Sequence, residues 1–325
     1  MDGGRRIRYA ALPPAAPSRR TEPEPAATIP FMTHLVAGLR LLIYALAFLL
    51  LVGPHWLSLR IGRGHVADVA PVWLHRLFVR LFNVRITVVG TPPAPGEAAL
   101  VLANHISWLD IPVLGALRPL SFVAKSEIAG WPVIGTLARL QRTVFIDRAR
   151  KRHTATVNTA LSQRLRDGDL IVLFAEGTTG DGTRLLPFRT SLVGAARAAL
   201  TEGGLDRVRL QPLCIAYPRR HGLPLTRVER PDIAWYGDME LGPHVASFLE
   251  RGPVDAHVVW GEPITFAAGT DRKAATALAE AAIRRALQEA VTGRAPLQAP
   301  PRPAGAAPAR DPAGAAPILI PAETA

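Results

Sequence analysis

The chain has 325 residues, 49% of them apolar, and carries 38 Lys and Arg against 26 Asp and Glu, a formal net charge of +12. That length allows one domain of ordinary to large size or two small ones with a substantial core, and a balance this basic points to an anionic partner: nucleic acid, an anionic membrane face or an acidic substrate. The single cysteine, Cys214, excludes an intramolecular disulfide and a cysteine-cluster zinc site.

Residues 1–30 are rich in Pro, Ala and Arg, have no apolar period, and are expected to be a disordered basic tail. They do not form a convincing secretory signal, because the apolar run comes late and no small-residue cleavage site follows it. That run, Thr33 to Val52, is apolar apart from His34 and Arg40. As a helix it extends about 30 Å, the hydrocarbon thickness of a bilayer, and it is apolar on all faces, so a membrane-embedded helix is expected rather than a buried core helix. Both flanks are basic, so a span and a dip into one leaflet both remain open, with Gly53-Pro54 expected to break the helix. Ala70 to Phe82 places Trp73, Leu74, Leu77, Phe78 and Leu81 at helical spacing with His75, Arg76 and Arg80 between them. This is a basic amphipathic helix, either at a membrane surface or packed on the domain. Residues 31–84 together are expected to form a membrane-associated helical element.

From residue 85 the pattern becomes α/β. Apolar runs suited to buried parallel strands are Ala98–Ala103, Ser121–Ala124, Thr143–Ile146, Leu170–Phe174, Val208–Ala216 and His257–Trp260. Helices are expected at His153–Arg166, Ser191–Leu200 and Arg272–Val291. The alternation predicts a mostly parallel sheet flanked by helices over residues 85–293. Residues 294–325, mostly Pro and Ala, read as a second disordered tail.

The strand Ala98–Ala103 runs into Asn104-His105-Ile106-Ser107-Trp108-Leu109-Asp110. Catalytic groups of α/β sheets collect just beyond the carboxyl ends of strands, where His105 falls. Asp110, followed by Ile111-Pro112, reads as the N-cap of a new helix. A turn between the two residues lets them meet as a general base and its orienting carboxylate; otherwise Asp110 only caps and His105 is an unrelated polar residue. A second strand leads into Phe174-Ala175-Glu176-Gly177-Thr178-Thr179-Gly180-Asp181-Gly182, whose glycines free backbone N–H groups to surround an anion, or make a flexible surface loop. Arg189 follows closely. Lys125 and Arg148 come after two further strands and are either anion-binding cations or solvated charges. In an open sheet these ends share one edge, so His105, Lys125, Arg148 and Glu176 can converge.

Taken together these motifs resemble the glycerolipid acyltransferases that include 1-acylglycerol-3-phosphate acyltransferase. Four blocks occur in order: Asn104-His105-x4-Asp110, Phe145-Ile146-Asp147-Arg148, Phe174-Ala175-Glu176-Gly177-Thr178, and Leu210-Gln211-Pro212-Leu213-Cys214-Ile215. The resemblance implies that His105, held by Asp110, deprotonates a lysolipid hydroxyl, which attacks the thioester of acyl-ACP or acyl-CoA. Lys125, Arg148, Glu176, Gly177, Thr178 and Arg189 are then the implied substrate-binding residues. No cofactor or metal is implied beyond the thioester co-substrate, and Cys214 is not needed as a nucleophile. The expected partners are membrane lipids, the lysolipid acceptor and an acyl carrier protein or CoA thioester, at the cytoplasmic face of the inner membrane.

The acceptor expected first is 1-acyl-sn-glycerol-3-phosphate, giving phosphatidic acid. However, the family's third block usually continues Glu-Gly-Thr-Arg, and this chain has Thr179 where that phosphate-clamping Arg stands. The segments Val123–Glu127, Gly130-Trp131-Pro132 and Ala234–Glu240 are also similar to bacterial relatives that acylate lyso-ornithine lipid, the alternative acceptor. Of other classes, a serine hydrolase lacks its Gly-x-Ser-x-Gly elbow, and a nucleic-acid binder leaves the apolar run unexplained. A non-catalytic lipid-binding protein is the remaining alternative.

Overall fold

In a computed structural model the described residues are 31–62, 65–146, 154–190, 193, 207–267 and 269–293. Both expected tails, Arg148, and nearly all of the helix expected at Ser191–Leu200 lie outside them.

Helix α1 covers Phe31–Ile61 and α2 covers His65–Leu81. The expected break at Gly53-Pro54 does not occur. Pro54 costs one i→i−4 bond, but the ladder closes around it for two more turns, and the chain reverses only beyond Ile61, at Gly62 with φ 123°. The resulting helix is about 46 Å long, more than one bilayer core. His34–Ile61 is long and apolar enough to cross a membrane, and none of its most apolar window is buried. Leu49 is 66% and Leu50 75% exposed, which rules out a core helix and leaves an apolar surface that water disfavours. α1 is fastened to the domain at a few points. His55 Nε2 bonds the Leu140 carbonyl at 2.9 Å, and Tyr44 meets Phe78 of α2 edge to face. α2 begins five residues before the expected start and buries Phe78, Val79 and Ala70 against the domain.

The domain is one sheet with helices around it. Its strands are β1 Val84–Val89, β2 Ala99–Ala103, β3 Ser121–Lys125, β4 Val144–Ile146, β5 Leu170–Phe174, β6 Arg207–Arg220, β7 Leu223–Pro224, β8 Val254–Trp260 and β9 Ile264–Ala267. The order is β1-β8-β6-β2-β5-β3-β4, with β7 and β9 also pairing with β6. Strands β2 and β5 are buried at every residue, as continuous apolar runs at the centre of a doubly covered sheet must be. β6, β2, β5, β3 and β4 run parallel to one another, so their carboxyl ends share an edge. The runs at 208–216 and 257–260 correct the expectation in part: β6 is parallel to β2 but antiparallel to β8 and β9. The sheet is therefore mixed on one side. The helices are α3 Asp110–Leu117, α4 Ile134–Leu140, α5 Thr154–Arg166, α6 Leu241–Glu250 and α7 Arg272–Thr292. α7 starts at Asp271, whose side chain accepts from Lys273 N–H, and ends at Gly293 in the left-handed conformation.

Candidate active site

Strand β2 ends at Ala103, opposite Phe174 of β5 on one side and Leu213 of β6 on the other. Whatever follows β2 thus meets whatever follows β5 and the outer half of β6. Asn104 fixes the exit, because its side chain exchanges two 2.8 Å bonds with the backbone N–H and carbonyl of Ile215.

His105 is clamped through both of its backbone groups. Its N–H donates to Glu176 Oε1 at 2.8 Å, and its carbonyl accepts from Gly180 N–H at 2.8 Å. Its ring stacks on Phe174, centroids 3.8 Å apart and planes 10° apart. Nδ1 lies 2.7 Å from Asp110 Oδ2. The carboxylate selects the Nδ1–H tautomer, so Nε2 carries the free lone pair. The His105 side chain is 19% exposed and that of Asp110 is 0% exposed: the imidazole is open to a substrate, whereas its carboxylate partner is not.

Asp110 is not an N-cap. Leu109 occupies that position and Asp110 is the first residue of α3. Its Oδ2 turns back to accept from Ile106 N–H at 2.8 Å and Ser107 N–H at 3.1 Å as well as from His105, which curls the intervening residues 106–109 into a loop. Its Oδ1 accepts from Tyr217 Oη at 2.7 Å. Four donors around one buried carboxylate leave it no freedom to rotate. Burial, with Asp110 next to it, pushes the Tyr217 hydroxyl well above the ordinary phenol range, so it stays a donor. Tyr217→Phe removes that donor and leaves Oδ1 buried without it. About 1–2 kcal/mol of stability and several-fold in kcat are the expected losses; unchanged melting and turnover would show Tyr217 to be a spectator.

Glu176 is a brace. Its side chain is buried, with Oε1 on His105 N–H and Oε2 accepting from Leu186 N–H at 2.8 Å. Burial raises its pKa to about 7, outweighing the two backbone donors that favour the charged form. Since this exceeds its unfolded value of 4.5, the proton binds more tightly to the folded protein. That contribution to stability is complete below pH 4.5 and is lost as pH rises through about 7. It amounts to roughly 3 kcal/mol. Denaturation of wild type and Glu176→Gln across this range should show the wild-type advantage shrinking as pH rises; a constant difference would refute the burial argument.

The remaining expected residues are placed as follows. The Gly177 N–H bonds the Phe174 carbonyl, and Gly180 serves His105, so these two N–H groups of the glycine loop close it on itself. Thr178 is exposed at its tip. Arg189 is exposed, and its Nε bonds the Glu176 carbonyl at 3.2 Å. Lys125 is exposed at the end of β3, paired in register with Ile146, the last residue of β4. The structure thus unites His105, Asp110 and Glu176, and leaves Lys125 on the same edge. Cys214 is buried and its thiol pKa is raised by burial, consistent with an inert core residue. Tyr217 has no signature in the sequence: a lone tyrosine over a hundred residues from Asp110 carries no spacing signal. Among the described residues no group of His, Cys, Asp or Glu is arranged to hold a metal ion.

A buried carboxylate holding an imidazole at an open sheet edge is the arrangement of a general-base enzyme that activates a hydroxyl. Residues 85–216 match the family described as Acyltransferase. A lyso-ornithine lipid O-acyltransferase of Brucella abortus is 48% identical over 218 residues, 67% of this chain and 81% of the relative. A 1-acyl-sn-glycerol-3-phosphate acyltransferase of Neisseria gonorrhoeae is 42% identical over 109 residues, 33% of this chain and 43% of the relative. The crystal structure of the 1-acyl-sn-glycerophosphate (LPA) acyltransferase PlsC from Thermotoga maritima superposes with a TM-score of 0.54 at 17% identity, covering 82% of this chain and 98% of that one. It shares the fold. The chain belongs to the acyltransferase family, and it is an O-acyltransferase.

Proposed function

We propose that the protein transfers a fatty acyl group from a thioester donor, acyl-ACP or acyl-CoA, to the free hydroxyl of lyso-ornithine lipid. The observation that carries this reading is the extent of the match. Similarity to the Brucella enzyme runs through 81% of that relative, whereas similarity to the Neisseria enzyme covers 43% of its length. Thr179 supports it, because a phosphate-bearing acceptor loses a bidentate clamp there.

In this mechanism Nε2 of His105 takes the hydroxyl proton while Asp110 stabilises the imidazolium. The oxygen attacks the thioester carbonyl, a C–O bond forms, the C–S bond breaks, and the thiolate leaves with the proton returned by His105. Glu176 and Gly180 hold the His105 backbone. Lys125, Arg148 and Arg189, with the Gly177-Thr178 turn, are proposed to meet the anionic groups of donor and acceptor. The exposed apolar face of α1 and the basic flanks support a place at the cytoplasmic face of the inner membrane, where thioester donors are made.

The test is acyl transfer from both donors to lyso-ornithine lipid and lysophosphatidic acid in parallel. Turnover of lyso-ornithine lipid is expected. Turnover of lysophosphatidic acid alone would restore phosphatidic acid synthesis, and lipid binding without any turnover would return the non-catalytic reading.

A further inference from the structure

Against the catalytic loop lies a shallow cleft, its interior volume only about 10 Å³, floored by the buried Ile106, Tyr217, Leu225 and Ile233 and carrying the half-buried charges Asp181 and Arg230. Ile106 follows His105 directly. Its N–H donates to Asp110, and its carbonyl accepts from Trp235 N–H at 3.0 Å. The cleft therefore shares a wall with the catalytic loop. Gly182 closes another side: a Cβ there would come within 3.2 Å of the Ile106 side chain.

The two charges are held but not spent on each other. Asp181 Oδ1 accepts from Thr183 N–H at 2.8 Å and Thr183 Oγ1 at 2.7 Å. Among the described residues Arg230 donates one hydrogen bond, from Nη1 to the Gly182 carbonyl at 3.3 Å. Asp181 is near enough to favour the charged guanidinium, yet the pair does not close into an ion pair among the described residues. A half-buried guanidinium with most of its fork unused has lost hydration without full compensation, and a bound carboxylate supplies what is missing.

Lyso-ornithine lipid offers matching charges. Its amide-linked ornithine keeps a free carboxylate and, a short methylene chain away, a free ammonium. We propose that Asp181 and Arg230 read the acceptor headgroup, Arg230 pairing with the ornithine carboxylate and Asp181 with the ammonium. This assignment rests on lyso-ornithine lipid being the acceptor. It predicts selectivity, since a phosphate monoester brings no ammonium for Asp181 and finds Thr179 where a second guanidinium would be needed.

The experiment crosses Arg230→Gln, Arg230→Lys and Asp181→Asn with three acceptors: lyso-ornithine lipid, its carboxyl methyl ester and its N-acetylated side-chain amine. Arg230→Gln is expected to lower kcat/KM about tenfold on the native acceptor and little on the ester, which has already lost the contact. Arg230→Lys should recover part of that loss. Asp181→Asn should do the same with the acetylated acceptor as its insensitive partner. A uniform loss on all three acceptors would make these residues structural and overturn the assignment, as would wild-type enzyme that takes ester and acetylated acceptors as well as the native one. Wild-type enzyme that acylates lysophosphatidic acid but not lyso-ornithine lipid would overturn the acceptor reading itself, and the headgroup assignment with it.

Discussion

His105→Ala is expected to lower kcat by roughly 10³-fold while the protein stays folded, because general-base assistance of this kind contributes 10²–10⁴-fold and no neighbouring group can take over. Asp110 accepts four donors and is fully buried. Both oxygens of Glu176 are on backbone N–H groups. Tyr217 and Cys214 are buried with pKa values pushed up, so neither offers an anion at neutral pH. The lost ring leaves a gap on Phe174, but the backbone clamps of residue 105 are independent of the side chain, so the stability cost should be small. Steady-state acyl transfer beside thermal melting checks both halves. Residual turnover above a tenth of wild type would assign the base elsewhere.

The parts of the fold that were legible in the sequence are those whose environment is uniform. β2 and β5 are buried on both faces, and their unbroken apolar runs, Ala98–Ala103 and Leu170–Phe174, match to within a residue. β1 has no counterpart among the expected strands: Val84–Val89 is an edge strand, mostly exposed beyond Val84, and Arg85 and Thr87 break up the apolar run that marks a buried strand. The expected strand His257–Trp260 is only the second half of β8, because Asp255, on the face that is not buried, interrupts the apolar pattern before it. The direction of β6 relative to β8 and β9 depends on long-range pairing across the intervening helix Leu241–Glu250 and not on periodicity, so apolar runs do not reveal the antiparallel side of the sheet. In the site, His105 and Asp110 lie within one loop and could be paired from spacing. The long-range partners could not. Glu176 serves backbone atoms rather than a substrate, and Tyr217 reaches Asp110 through the register of β6 on β2.

Asp110→Asn should come close to His105→Ala in its effect on turnover and exceed it in its effect on stability. The position that is now Oδ2 accepts from His105 Nδ1, Ile106 N–H and Ser107 N–H. If the amide NH2 turns toward them, three donors face a donor. If the amide oxygen turns that way, the NH2 faces the Tyr217 hydroxyl, which can rotate to accept, and the loop keeps its shape at the expense of the charge. In that arrangement nothing stabilises the imidazolium as His105 takes the proton. In the other, the ring is driven to the Nε2–H tautomer and presents a donor where a base is needed. Either way a loss of about 10³-fold in kcat is expected, with KM for the acceptor nearly unchanged because the side chain is fully buried. The accompanying loss of charge-assisted hydrogen bonds is expected to cost about 2–3 kcal/mol in unfolding free energy. Turnover within tenfold of wild type would mean that His105 acts without its carboxylate, and that the buried cluster around Asp110 serves only to shape the loop.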